Sequence, residues 1–155
     1  MTAVTHADVA IIGGGPVGLS TALLMARAGL RVSVLERAEQ RNWEEPGFDG
    51  REIALTHHSV RILQDAGAWD FIPPVAICPL KEARIETGSF RHPLRFDTQG
   101  HGVEALGWLV SNSLIRRALF AAASVQDGIT LLPRTEVSTI RQGQDYAAVH
   151  HSGGQ

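Results

Sequence analysis

One cysteine, Cys78, stands among 155 residues. That excludes an internal disulfide and a cysteine-rich zinc site. The residue reads as a small buried hydrophobe, and a reducing compartment fits such usage. There is no basic run, and the formal net charge is −2. This argues against a nucleic-acid binder that works through bulk charge. Heptads, internal repeats and low-complexity tracts are absent too. The opening MTAVTHAD lacks the basic region of a signal peptide. The apolar stretch behind it is broken by Gly13, Gly14, Gly15 and Pro16 and carries Arg27, so it reads neither as a signal nor as a membrane span. No Ser-His-Asp arrangement or paired-carboxylate pattern stands out, which agrees with chemistry carried by a cofactor.

What is present is an ordinary globular balance, 44% hydrophobic and 19% charged, long enough for one domain with a core. Val9 to Ile12 are apolar and mostly β-branched, as in a strand buried on both faces. Val17, Leu19, Leu23, Leu24 and Ala26 then mark a mostly apolar helix that Gly29 is placed to stop. Arg31 to Leu35 reads as a second strand, completing a β-α-β unit.

At the first strand-to-helix turn, Gly13, Gly15 and Gly18 form G-x-G-x-x-G. The first glycine permits a tight turn, the second lets backbone approach a pyrophosphate, and the third lets helix and strand pack closely. Pro16 opens the helix, whose N-terminal N–H groups suit phosphate. Glu36, 18 residues after Gly18, ends the second strand, where a carboxylate can accept ribose hydroxyls. A strand end is partly solvated, so folding is expected not to depend on Glu36. Its charge disfavours an adenosine 2′-phosphate, leaving FAD or NAD.

Residues 39–50 are polar, with Pro46, Gly47 and Gly50, and read as a loop. Thr56 is placed to cap a helix in which Val60, Leu63 and Ala66 share a face before Gly67. Residues 72–80 look too proline-rich for regular structure. Rough alternation over 81–97, about Gly88 and Ser89, predicts a β-hairpin. LGWLV follows as a strand, and Asn112 sits at the N-cap of a helix over 113–124. GITLLP, TEVSTIRQ and YAAVHH read as three more strands, the last two joined at Gly143–Gln144.

Four stretches together carry a resemblance: DVAIIGGGPVGLSTALLMARAGLRVSVLER, FDGREIALTHHSVRILQDAGAWDFI, ALGWLVSNSLIRRAL and TEVSTIRQ. The sequence resembles the N-terminal part of the FAD-dependent aromatic hydroxylases, the p-hydroxybenzoate hydroxylase group. Within it, the chain is most similar to ubiquinone-biosynthesis hydroxylases such as 2-octaprenyl-6-methoxyphenol hydroxylase. The resemblance implies an α/β fold, a Rossmann-like FAD-binding β-α-β sheet with an inserted β-hairpin, incomplete at this length. It implies that Gly13, Gly15, Pro16 and Gly18 hold the FAD pyrophosphate and Glu36 the adenosine ribose. Arg37 would lie along the adenine and Val137 meet it through backbone. Arg51 would reach the phosphates, and Asn112 would contact the cofactor. The implied activity is hydroxylation of a phenolic, prenylated ring with O2 and NAD(P)H or another donor. The family's downstream Asp-Gly and Gly-Asp-Ala motifs are missing, so residues 1–155 read as an inactive part of a larger enzyme. A cytoplasmic setting is implied, with peripheral inner-membrane contact or a multienzyme complex as compatible partners. Two alternatives stay open, an NAD-dependent dehydrogenase and a non-catalytic dinucleotide-binding module.

Other conspicuous residues read blandly. His57 and His58 are adjacent on a helix and cannot easily face one ion. They suit a solvated helix start. His150 and His151 alternate across a strand. Trp69 and Trp108 suit packing. Arg51 has a competing reading as a surface ion pair with Asp49 or Glu52.

Overall fold

The computed structural model describes residues 5–86, 88, 94–100 and 102–152. The β-α-β unit is present as expected. Strand β1 (Val9–Ile12) leads into helix α1 (Pro16–Arg27), and β2 (Val32–Leu35) follows. β2 lies between β1 and β8 (Ile129–Leu132), parallel to both, with Val34 facing Ile11 and Leu131. Being central, β2 is buried along its whole length. β1 is not buried on both faces as its composition suggests. Half-buried and exposed residues alternate along it, and among the described residues it pairs with β2 alone. In α1, Leu19, Ala22, Leu23 and Ala26 are buried, whereas Val17 is 82% exposed and Leu24 is on the rim.

Residues 39–50 are not all loop. Arg41–Glu44 form one helical turn, α2, and its Trp43 is buried against Phe120. Next come β3 (Glu52–Leu55) and α3 (His57–Asp65). Thr56 caps α3 as expected, its hydroxyl accepting the Ser59 N–H at 3.2 Å. Residues 72–80 also contain more order than their prolines suggest: a 3-10 turn at Pro74–Ala76, then strand β4 (Cys78–Leu80). Pro79 is tolerated because β4 is an edge strand, where a missing N–H costs no ladder bond. Cys78 is exposed on that edge rather than buried.

The hairpin over 81–97 is present as β5 (Glu82–Ile85) paired antiparallel with β6 (Leu94–Asp97). Ser89, which the sequence places in its turn, lies outside the described residues. β7 (Gly107–Ser111) is the middle of a second sheet, antiparallel to β3 on one side and β4 on the other. It runs into α4 (Asn112–Val125), which packs on α1 and α2. The chain returns to the first sheet with β8 and ends in a hairpin of β9 (Val137–Gln142) and β10 (Ala147–His151). That hairpin is bulged between His150 and His151. One core joins these layers, from Leu19, Leu23 and Val34 through Val60 and Leu63 to Val110 and Leu119.

Candidate functional site

Three parallel strands deliver their carboxyl ends to one place, the region where open α/β sheets bind ligands. β1 ends at the glycine turn and β2 at Glu36. After β8, the Thr135 N–H donates to the Glu36 carbonyl at 2.8 Å and the Arg134 N–H to that of Ala38 at 2.9 Å.

The glycines do separate work. Gly13 has φ +102°, a conformation that side chains resist. A Cβ on Gly18 would lie 2.0 Å from the Gly13 carbonyl oxygen, so this position is closed by packing. On Gly14 it would run into the Trp43 indole. On Gly15 it would meet nothing within 4 Å. Gly15 is the N-cap of α1, with Pro16 next, and no side chain caps that helix. Its first N–H groups are therefore free for an anion. An open backbone cradle at an uncapped helix start fits a pyrophosphate.

Glu36 is half-buried, and both its oxygens already hold backbone. Oε2 accepts the Gly14 N–H at 2.8 Å and Oε1 the Ala38 N–H at 2.9 Å. The expected independence of folding from this carboxylate is therefore corrected, because Glu36 braces the glycine turn. Each carboxylate oxygen still has acceptor capacity for a ribose hydroxyl. Arg37 is exposed beside it. Val137 opens β9 two residues after Thr135, opposite His151.

Arg51 and Asn112 form a second cluster around Asp49. Arg51 donates from Nε to Asp49 Oδ2 at 2.8 Å, and Asn112 Nδ2 donates to the same oxygen at 2.7 Å. The hydrogen-bonded Arg51 guanidinium, with the Asn112 amide, holds the Asp49 carboxyl well below the usual carboxylate range. The competing ion-pair reading of Arg51 thus describes the geometry, with Asp49 as the partner. Asn112 is not a cap. Ser111 is the N-cap of α4, and Asn112 is its buried first residue.

Two residues absent from the sequence reading join these parts. Trp43 donates its indole N–H to the Gly14 carbonyl at 2.8 Å. Arg116 donates to the Asn42 carbonyl at 3.2 Å. Arg116 shares a cleft of about 300 Å³ with Gly14, Gly15, Glu36 and Trp43. Arg116 follows Asn112 by four residues on α4, hence on the same face. That spacing was the available signal. For Trp43 the signal was a large aromatic residue in a polar run, which it shares with the exposed Phe48.

The remaining residues are structural. His57 is exposed at the start of α3, yet its Nε2 lies 2.9 Å from the Ala105 carbonyl and its ring meets Trp108 edge-on. Trp69 and Trp108 pack against the core. Among the described residues, no group of three His, Cys, Asp or Glu could hold a metal.

Residues 6–153 match the family described as FAD binding domain. The chain is 38% identical over 154 residues to ubiquinone hydroxylase UbiM of Neisseria meningitidis, covering 97% of this chain and 33% of that protein. It is 29% identical over 150 residues to 3-demethoxyubiquinol 3-hydroxylase of Escherichia coli, covering 96% of this chain and 38% of that protein. The chain thus spans about a third of the length of these curated relatives. Its fold is that of p-nitrophenol 4-monooxygenase PnpA from Pseudomonas putida, with TM-score 0.74, 23% identity, and 94% of this chain and 36% of that one covered. The chain belongs to the FAD binding domain family, with FAD as its cofactor.

Proposed function

We propose that this chain is the FAD-binding part of a monooxygenase that hydroxylates a phenolic, prenylated ring of the ubiquinone type, using O2 and a reductant such as NAD(P)H. The observation that carries this reading is the likeness to a ubiquinone hydroxylase over 97% of the chain. The geometry supports it by lining one cleft with the glycine turn, the Glu36 carboxylate and Arg116.

When bound, FAD supplies electron transfer and O2 activation. The chain's own residues bind and orient it. Gly13 and Gly18 shape the turn, and the cradle at Gly15 and Pro16 takes the pyrophosphate. Glu36 takes the ribose while still bracing Gly14. Arg37 and the Val137 backbone flank the adenine. Arg51 and Asn112, preset by Asp49, face the phosphate and flavin side. An arginine held by a carboxylate keeps its fork oriented until a second anion arrives.

A prenylated ring is membrane-dissolved, so the reading brings peripheral membrane contact with it. No helix among the described residues is long and apolar enough to cross a membrane. A complex with other enzymes acting on the same ring belongs to the same proposal.

The test is to purify the intact protein, record its absorbance, and measure O2 and NAD(P)H consumption with a prenylated phenol. Flavin absorbance and a product heavier by one oxygen atom are the expected result. Bound nicotinamide without flavin would favour the dehydrogenase reading, and flavin without turnover on any phenol a binding module.

A further inference from the structure

Gly14 is held at both its amide and its carbonyl. Its N–H donates to Glu36 Oε2, and its carbonyl accepts the Trp43 indole N–H, each at 2.8 Å. The second bond fixes more than Gly14. In a trans peptide, C=O and N–H lie in one plane and point in opposite directions. The Gly14 carbonyl and the Gly15 N–H share such a plane. With the carbonyl drawn to Trp43, the Gly15 N–H is turned away from it, and it donates to no acceptor among the described residues. The space at Gly15 is the open part of the turn.

Trp43 is itself well anchored. Its side chain is buried, and its ring stacks on Phe120 with centroids 5.6 Å apart. Glycine at position 14 is what lets the indole approach, since a Cβ there would stand 2.2 Å from the ring. An apolar side chain would fill this space equally well. Only a hydrogen-bond donor can hold the carbonyl.

We propose that Trp43 is a positioning residue for the cofactor. By holding the Gly14 carbonyl it presets the Gly15 N–H as a donor to a pyrophosphate oxygen, so that binding spends nothing on turning that peptide. The proposal rests on the FAD reading of the glycine turn.

The test uses the intact protein stripped of flavin, titrated with FAD, ADP and adenosine. Trp43→Phe keeps the stack on Phe120 and removes the donor. Phe120→Leu keeps the donor and weakens the stack. Trp43→Phe is expected to weaken FAD and ADP about tenfold each, which is about 1.4 kcal/mol, and to leave adenosine unchanged. Phe120→Leu is expected to lower the melting temperature and leave all three affinities near wild type. Unchanged ADP affinity in Trp43→Phe, an equal loss for adenosine, or an equal loss in Phe120→Leu overturns the proposal.

Reciprocity supplies a measurement on the unmutated protein, independent of whether Trp43→Phe folds. If the indole bond favours ADP, then ADP strengthens the indole bond by the same factor. Hydrogen exchange at the Trp43 indole N–H is expected to slow about tenfold with ADP and not with adenosine. An ADP-independent rate overturns the proposal. A wild type that binds adenosine as tightly as ADP would instead remove the pyrophosphate from this turn, and with it the functional reading.

Discussion

Asn112 donates its side-chain amide to Asp49 at 2.7 Å across 63 residues of sequence. The bond ties the start of α4 to the loop ahead of β3, and Asp49 also accepts from Arg51. Asn112→Asp would set two carboxylates against each other. A like charge raises one folded-state carboxyl pKa above its unfolded value. The destabilisation is then complete above that raised pKa and disappears as the pH falls through it. Denaturant unfolding of Asn112→Asp is expected to show a deficit at about pH 7.5 that shrinks by about pH 5. A deficit equal at both would mean that Asp49 is not its cause.

Gly15→Val and Gly18→Ala separate ligand space from packing space. Valine at Gly15 can adopt the observed extended conformation, and its Cβ would meet no atom beyond its chain neighbours within 4 Å. Its melting temperature should match wild type, while FAD affinity falls by about 100-fold or more, roughly 2.8 kcal/mol. Alanine at Gly18 would overlap the Gly13 carbonyl. It should cost about 1–3 kcal/mol of stability without any ligand present. A Gly15→Val protein that retains FAD would place the cofactor elsewhere.

Glu36 holds two backbone N–H groups, and a hydrogen bond to a charged group contributes about 1.5–3 kcal/mol. Glu36→Ala should therefore lose stability as well as FAD. Glu36→Gln retains one acceptor oxygen and should fall between wild type and Glu36→Ala in both. Urea midpoints and FAD titrations of the three proteins check the order. Identical urea midpoints would mean the turn needs no brace.

Asp8 pairs with Arg31 at 2.9 Å, joining the starts of β1 and β2. The hydrogen-bonded Arg31 side chain lowers the Asp8 carboxyl from 3.8 to about 2. A depressed folded-state value contributes stability above the unfolded value, lost as the pH falls through the folded one. The gap between wild type and Asp8→Asn should be constant above about pH 4 and close towards pH 2. The pair is exposed, so added salt should narrow the gap as well.

The β-α-β unit was legible because its signals are local: a β-branched run, a glycine turn, a helical face and an acid at a strand end. The second sheet was not. Its register, Ile53 opposite Val110 and Pro79 opposite Trp108, joins segments far apart in sequence, and nothing local announces it. Cys78 shows the same limit, since apolar neighbours do not say whether a strand lies at an edge. Asn112 was singled out from the sequence, but with the wrong local role. Asparagine caps helices well, but Ser111 took that position, leaving the amide for Asp49. Trp43 escaped because one helical turn is too short to show a period.

The edge of β1 has a wider consequence. Val9 and Gly13 donate their N–H groups towards β2, so those of Ala10 and Ile12 point the other way, and Ile12 is 51% exposed. Among the described residues that edge carries no partner strand, and it belongs to the segment that runs directly into Gly13. Whatever polypeptide pairs with it stiffens the strand that feeds the cofactor turn. By linkage, occupancy of the turn must in return tighten strand addition. A chain without that partner, when concentrated, should zip to its neighbours along this edge, and FAD should make the zipping stronger.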